Sequence, residues 1–262
     1  MRSLEKKHKG LIELEVLSVR HWTDKTFSFS LERPNSFRFR SGEFVMIGLE
    51  INGKPLLRAY SIASPSWEDK LDFYSIKVEN GPLTSELQNL KVGERVLLRP
   101  KPVGTLVLDA LLPAKRLILF STGTGIAPFA SVIRDPETYE KFDEVILTQT
   151  CRQNTELEFG KELVKEISSD DLLSDFIGTK LSLIPTTTRE TSNLTGRLTD
   201  WLNDNRFNDF TGRQLDSDND RVMICGSMAM LKAHKAICQK VGMFEGSNSE
   251  PGHFVIEKAF VD

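Results

Sequence analysis

The sequence predicts an antiparallel β-barrel domain followed by a parallel-sheet α/β domain, and three observations carry that prediction. From Leu11 to about Leu108 the apolar residues come in short runs of strand length, punctuated by glycine and proline. After Lys115 the pattern changes to apolar strands alternating with helix-length stretches, as in a parallel sheet covered by helices. The 262 residues suffice for two ordinary domains, and the change of pattern divides them into residues 1–110 and 111–262.

In the first half, strands are marked at Ile12/Leu14/Val16, Phe27/Phe29/Leu31, Phe44/Val45/Ile47/Leu49, Phe73/Ser75/Lys77 and Arg95/Leu97/Arg99. Pro34, Gly42, Gly53, Pro65, Gly93 and Pro102 separate them, a spacing that suits an antiparallel barrel or sandwich. One helix is predicted here, from Leu83 to Leu90, because Leu83, Leu87 and Leu90 recur at helical spacing.

In the second half, buried strands are predicted at Leu117 to Phe120, Glu144 to Thr150, Lys180 to Ile184 and Val222 to Cys225. Helices are predicted at Pro128 to Arg134, Leu157 to Ile167, Leu198 to Asn203 and Met228 to Val241, and Gln214 to Asp220 reads as a solvated loop. A tail strand from Phe254 to Phe260 puts Glu257 and Ala259 on one face. Ligands of such sheets bind at the carboxyl ends of the strands, where Gly123-Thr124-Gly125 and Cys225-Gly226 fall.

A formal charge of −3 supplies no global basic field, so no nucleic-acid partner is expected. Cys151, Cys225 and Cys238 are odd in number and lack metal-ligand spacing, which argues against a disulfide framework and a metal site and fits a reducing cytoplasm. No run approaches the roughly 20 apolar residues of a membrane span, and the start lacks an apolar signal segment, so an unexported protein is expected.

Two motifs carry the chemistry. Arg58 and Tyr60, two residues apart on an extended strand, point the same way and offer a cation beside an aromatic ring. That pair suits a flavin, with the ring facing Tyr60 and a phosphate oxygen on the Arg58 fork, although a barrel strand with an inward Tyr and a surface Arg has the same pattern. The run from Leu117 to Pro128 is an apolar strand entering a glycine-rich turn at a helix start, whose N–H groups suit a nucleotide phosphate. It departs from the six-residue dinucleotide fingerprint, so it is not a standard pyrophosphate turn. The segment from Gly81 to Ser85 opens the helix of the first half and reads as a second phosphate cradle or an ordinary helix cap.

Taken together, the Arg58 to Ser61 stretch, Gly81 to Ser85, the Gly123 turn, Cys225-Gly226 and the tail from Glu257 to Phe260 resemble ferredoxin–NADP reductase of the bacterial type over nearly the whole chain. The tail and the Thr186 to Arg189 segment narrow the resemblance to the NADP-using branch. It implies FAD contacts from Arg58, Ala59, Tyr60, Ser61, Tyr74, Ile76, Lys77 and Val78, with Ser61 beside the flavin N5. It further implies FAD contacts from Pro82, Leu83, Thr84, Ser85, Thr124 and Ala259, and an adenine stacked on Phe260.

For NADP the resemblance implies Thr124 and Gly125 beside the nicotinamide, Cys151 and Arg152 at a phosphate, and Thr188, Arg189 and Arg197 around the 2′-phosphate. Two guanidinium groups answer that dianion, whereas an acidic residue favours a free 2′-hydroxyl; Glu190 beside Arg189 runs against this reading. Ser61, Cys225 and Glu257 are the expected catalytic trio, with Gly226 next to Cys225 and with Ala259 standing where plant-type enzymes have a Tyr over the flavin. By itself, Cys225 at the end of a buried strand also reads as a structural thiol.

The expected activity is FAD-mediated electron transfer between NADP(H) and ferredoxin or flavodoxin, with Lys54, Arg95, Arg99 and Lys101 as candidate docking charges for an acidic carrier. Two alternatives are a reductase component of an oxygenase system and a non-catalytic flavin-binding sensor or scaffold. The first usually carries a ferredoxin domain or a cysteine cluster, which this chain lacks, and the second predicts loss of the nicotinamide-side residues, which are present.

Overall fold

The first six strands form one antiparallel sheet whose two edges curl toward each other. A computed structural model describes residues 8–171 and 173–259. The strands are β1 (Ile12–His21), β2 (Thr26–Glu32), β3 (Phe44–Ile51), β4 (Lys54–Ser61), β5 (Lys70–Ile76) and β6 (Arg95–Val103), in the order β4-β3-β6-β1-β2-β5. Beyond β4 the edges meet at an Ala63 N–H to Asp72 carbonyl bond of 2.8 Å, and the Ser75 hydroxyl approaches the Tyr60 hydroxyl at 3.4 Å. The predicted alternation fills the barrel, since Leu14, Val16, Phe27, Phe29, Leu31, Val45, Ile47 and Phe73 form one buried cluster.

The helix predicted from Leu83 to Leu90 is shorter. Only α1 (Thr84–Leu87) is helical, and the chain then continues in tighter bonds from Asn89 to Glu86 and from Leu90 to Leu87. All three leucines are buried, so the spacing correctly gave the buried face while the hydrogen bonds shifted to the tighter pattern.

The second sheet is wholly parallel, built from β7 (Arg116–Thr122), β8 (Glu144–Cys151), β9 (Leu181–Thr187), β10 (Asp220–Gly226) and β11 (Phe254–Lys258) in the order β11-β10-β7-β8-β9. Two helical layers cover it. Leu117 and Leu119 face a cluster that includes α2 (Ala127–Val132), α3 (Pro136–Lys141), α4 (Glu158–Ser169) and α5 (Leu173–Ile177). Ile118 and Phe120 face the opposite cluster with α6 (Leu198–Asn203), α7 (Arg206–Thr211) and α8 (Met228–Lys240). Successive strand residues thus serve opposite layers, and both layers are apolar because helices close both faces.

Three short helices, α3, α5 and α7, have no counterpart in the sequence prediction. The segment read as a solvated loop is also different, because Asp220 is fully buried in β10 and pairs with Arg116, which in turn takes the Gln214 carbonyl at 2.9 Å. The strand order reverses between β7 and β10, so a crevice opens beyond their carboxyl ends, next to the barrel edges. Among the described residues no helix is long and apolar enough to cross a membrane.

Candidate active site

A cleft of about 370 Å³ lies where the barrel edges meet that crevice. Strand β4 contributes Arg58, Ala59, Tyr60 and Ser61, and β5 contributes Tyr74, Ser75 and Ile76. The following loop adds Val78, Gly81, Pro82 and Leu83 and the start of α1 adds Thr84, while Thr124, Ala127, Cys225 and Ala259 come from the parallel-sheet side. The two motifs that are separated in sequence therefore face each other.

The phenol of Tyr60 is braced by Phe29 and Phe73 at steep ring angles of 68° and 87°, and burial raises its pKa above the ordinary tyrosine value. Arg58 stands beside it, with one guanidinium N–H on the Leu57 carbonyl at 2.9 Å. At the start of α1 the hydroxyls expected to face a ligand turn inward instead. Thr84 donates to the Val78 carbonyl at 3.3 Å and Ser85 to the Gly81 carbonyl at 2.7 Å, and Ser85 does not line the cleft. The backbone N–H groups of Leu83 and Thr84, both cleft residues, have no hydrogen-bond partner among the described residues. Lys77 also lies off the cleft, its ammonium on the Thr23 carbonyl at 3.1 Å.

On the opposite wall, Gly123 adopts φ +54°, and a Cβ on Gly125 would come within 2.4 Å of the Cys225 carbonyl oxygen. The glycines thus let the turn after β7 pack directly on the end of β10, bringing Thr124 beside Cys225. Gly125 and Gly226 shape this contact from behind and do not line the cleft. Burial pushes the Cys225 thiol well above the ordinary range, and nearby Glu257 adds to that shift.

The tail runs parallel to β10, pairing Cys225 with Glu257, and continues through a bond from the Ala259 N–H to the Gly226 carbonyl at 3.1 Å. Ala259 reaches the cleft; Phe260 lies outside the described residues. Burial raises the Glu257 carboxyl to about 7, with the Glu43 carboxylate pushing the same way and the bonds from Thr105 acting against it. Thr105 and Glu43 carried no sequence signal, because each acts through a contact with the distant tail.

The remaining predicted residues gather at the carboxyl ends of β8 and β9, outside the cleft. The Thr188 N–H donates to the Cys151 carbonyl at 3.0 Å, Arg189 to Arg152 at 3.1 Å and Gly196 to Thr187 at 2.9 Å. These bonds bring the loops bearing Arg152, Arg189 and Arg197 together, and all three side chains are exposed with no partner among the described residues. Glu190 is turned away, its carboxylate accepting the Asn154 N–H at 2.7 Å. Cys151 is buried, and its thiol, pushed up to about 12 by burial, is packed against the loop and not presented to a ligand.

Of the four docking charges, Lys54, Arg99 and Lys101 are exposed, but Arg95 is already engaged with Glu15 and Glu32 at 2.9 and 3.0 Å. The three cysteines are free and buried, and among the described residues no cluster of metal-binding side chains occurs.

Residues 11–107 match the family model of the oxidoreductase FAD-binding domain, and residues 119–236 that of the oxidoreductase NAD-binding domain. The flavodoxin/ferredoxin–NADP reductase of Rhodobacter capsulatus is 57% identical over 248 residues, covering 94% of this chain and 92% of that protein. The ferredoxin–NADP reductase of Azotobacter vinelandii is 47% identical over 249 residues, covering 94% of this chain and 96% of that protein. A crystal structure of a ferredoxin NADP+ reductase from Neisseria gonorrhoeae with bound FAD and NADP superposes with a TM-score of 0.87 at 28% identity, covering 97% of this chain and all of that one. With identity this high across almost the full length of these relatives, and with their two-sheet architecture, the chain belongs to the flavodoxin/ferredoxin–NADP reductase family.

Proposed function

We propose that this protein is an FAD-dependent ferredoxin or flavodoxin–NADP reductase, with residues 1–110 as its FAD-binding half and residues 111–262 as its NADP-binding half, working in the cytoplasm. The observation that carries this reading is the meeting of Arg58, Tyr60 and Ser61 on the barrel edges with Thr124, Cys225 and Ala259 from the parallel sheet in one cleft. Its volume of about 370 Å³ lies within the range of small-molecule sites. Tyr60 supplies a planar stacking surface, Arg58 a permanent cation, and the N–H groups of Leu83 and Thr84 two donors for phosphate oxygens. These features fit a flavin nucleotide. Bound FAD supplies the exchange of a hydride for single electrons.

The chain's own residues bind, orient and hold protons. Cys225 stays a neutral thiol and walls the cleft, because its depth disfavours the thiolate. Glu257 holds a proton near neutral pH beside Cys225. Thr124 and Ala259 leave small side chains on the face where a second ring stacks, and Arg152, Arg189 and Arg197 offer uncommitted charge to the nucleotide phosphates. Ferredoxin or flavodoxin is the one-electron partner, and no role in nucleic-acid binding is assigned. The test is extraction of the purified protein's chromophore: FAD supports this reading, and FMN or no flavin contradicts it.

A further inference from the structure

One aromatic contact joins the two halves of the molecule beside the cleft. Phe159, in the first turn of α4, stacks face to face on Tyr74 with centroids 4.0 Å apart and ring planes at 7°. It also makes a T-shaped contact with Trp22, the centroids 5.3 Å apart and the planes at 85°, so Phe159 sits against two barrel aromatics. One turn further along α4, Glu162 receives two parallel hydrogen bonds from Arg20, one at 2.7 Å, and the Arg20 guanidinium lies 3.6 Å above the Trp22 ring. Helix α4 therefore grips the barrel by a part-buried stack and an exposed clip on the same face.

The other end of this connection is the arginine cluster. The turn Asn154–Leu157 leads directly into α4, and its Glu156 carboxylate accepts the N–H groups of Arg152 and Gln153 at 2.8 and 3.0 Å. Glu190 holds Asn154, and Arg189 bonds to Arg152 through the backbone. The Arg152 and Arg189 loops and the start of α4 are thus one hydrogen-bonded unit. Tyr74, the barrel partner of Phe159, is itself a cleft residue.

We infer that Phe159 is a positioning residue for hydride transfer: its stack on Tyr74 fixes the nucleotide-binding arginine unit at a set distance from the flavin wall of the cleft. This rests on the FAD and NADP reading above. A change of about an ångström in the placement of reacting groups is enough to cost on the order of a hundredfold in rate. Phosphate binding at the arginines is local, so its affinity does not depend on the stack.

The experiment compares wild type, Phe159→Leu, Phe159→Tyr and the exposed Arg20→Gln. The readouts are FAD content, binding of 2′,5′-ADP, and stopped-flow flavin reduction at saturating NADPH. Phe159→Leu is expected to keep FAD and the affinity for 2′,5′-ADP while its reduction rate falls about ten- to a hundredfold. Phe159→Tyr should restore the rate, and Arg20→Gln should lower it by a few-fold. An unchanged rate in Phe159→Leu, with or without a loss of thermal stability, overturns the inference. So does a slowed Phe159→Leu that Phe159→Tyr fails to restore. Failure of NADPH to reduce the wild-type protein would instead sink the functional reading itself.

Discussion

The Thr105 backbone N–H donates to the Glu257 carboxyl Oε1 at 2.6 Å, tying the loop after the last barrel strand to the C-terminal strand of the parallel sheet. The Thr105 hydroxyl lies 3.3 Å from the same oxygen and 3.2 Å from the Ile256 carbonyl. Gly104 approaches the carboxyl so closely that a Cβ there would stand 3.0 Å from Oε1. Even with these donors, burial and the Glu43 carboxylate hold the Glu257 carboxyl at about 7, so it exchanges a proton near neutral pH.

Glu257 should leave a signature in stability. Its folded value of about 7 is raised above the unfolded carboxyl, so its contribution is fully present below about pH 4.5 and is lost as pH rises to about 7. The loss is on the order of 3 kcal/mol. Glu257→Gln removes this titration. Urea unfolding of wild type and variant between pH 4.5 and 7.5 should therefore give a difference in stability that grows with pH in favour of Gln, and a pH-independent difference would place the proton elsewhere.

At the opposite end of the parallel sheet, Arg116 and Asp220 form a fully buried pair through bonds of 2.8 and 2.7 Å. Asp220→Asn leaves a buried guanidinium without its counter-charge and should destabilise the protein by about 3–5 kcal/mol. The pair sits at the start of β7 and β10, away from the cleft, so flavin reduction by NADPH should be unchanged in the folded variant. A variant as stable as wild type in denaturant unfolding would refute the role given to the pair.

Nucleotide choice should rest on Arg189 and Arg197. Hydrogen bonds to charged groups contribute roughly 1.5–3 kcal/mol each, so replacing both by Ala should lower kcat/KM for NADPH by about a hundred- to ten-thousandfold. The value for NADH, which lacks the 2′-phosphate, should change little. Equal losses with both nucleotides would show that the arginines serve the fold alone.

Much of the fold was legible because its signals are local. The buried strands β7, β8 and β10 each hold a short apolar run, Leu117–Phe120, Val145–Leu147 and Val222–Cys225, and α6 was bounded correctly at Leu198 and Asn203. The short α3 was missed although Asp135, which accepts the Glu137 N–H at 3.1 Å, stands before Pro136 as a cap signal. Strand β5 shows where alternation fails: Phe73, Tyr74 and Ser75 are all buried, since α4 closes the face that a lone barrel would leave wet. Within the site, the Arg58 and Tyr60 pairing was readable from strand alternation. The Phe159 stack and the Thr105 bond arise only when the two halves meet.

Ala259, which lines the cleft, gives a direct probe of the proposed second stacking face. Ala259→Tyr places a ring there in competition with the nicotinamide, and aromatic pairs contribute about 0.5–1.5 kcal/mol beyond burial. Flavin reduction at saturating NADPH should slow by up to about tenfold while FAD stays bound. A variant reduced as fast as wild type would place residue 259 away from the nicotinamide.

The central claim is that this cleft passes electrons between NADP(H) and a one-electron carrier through bound FAD. Anaerobic titration of the purified protein with NADPH, followed by oxidised ferredoxin or flavodoxin, tests it most directly through the flavin absorbance. The expected result is bleaching of the flavin by stoichiometric NADPH and recovery of its absorbance on addition of the carrier. A flavin that stays oxidised under excess NADPH would contradict the claim.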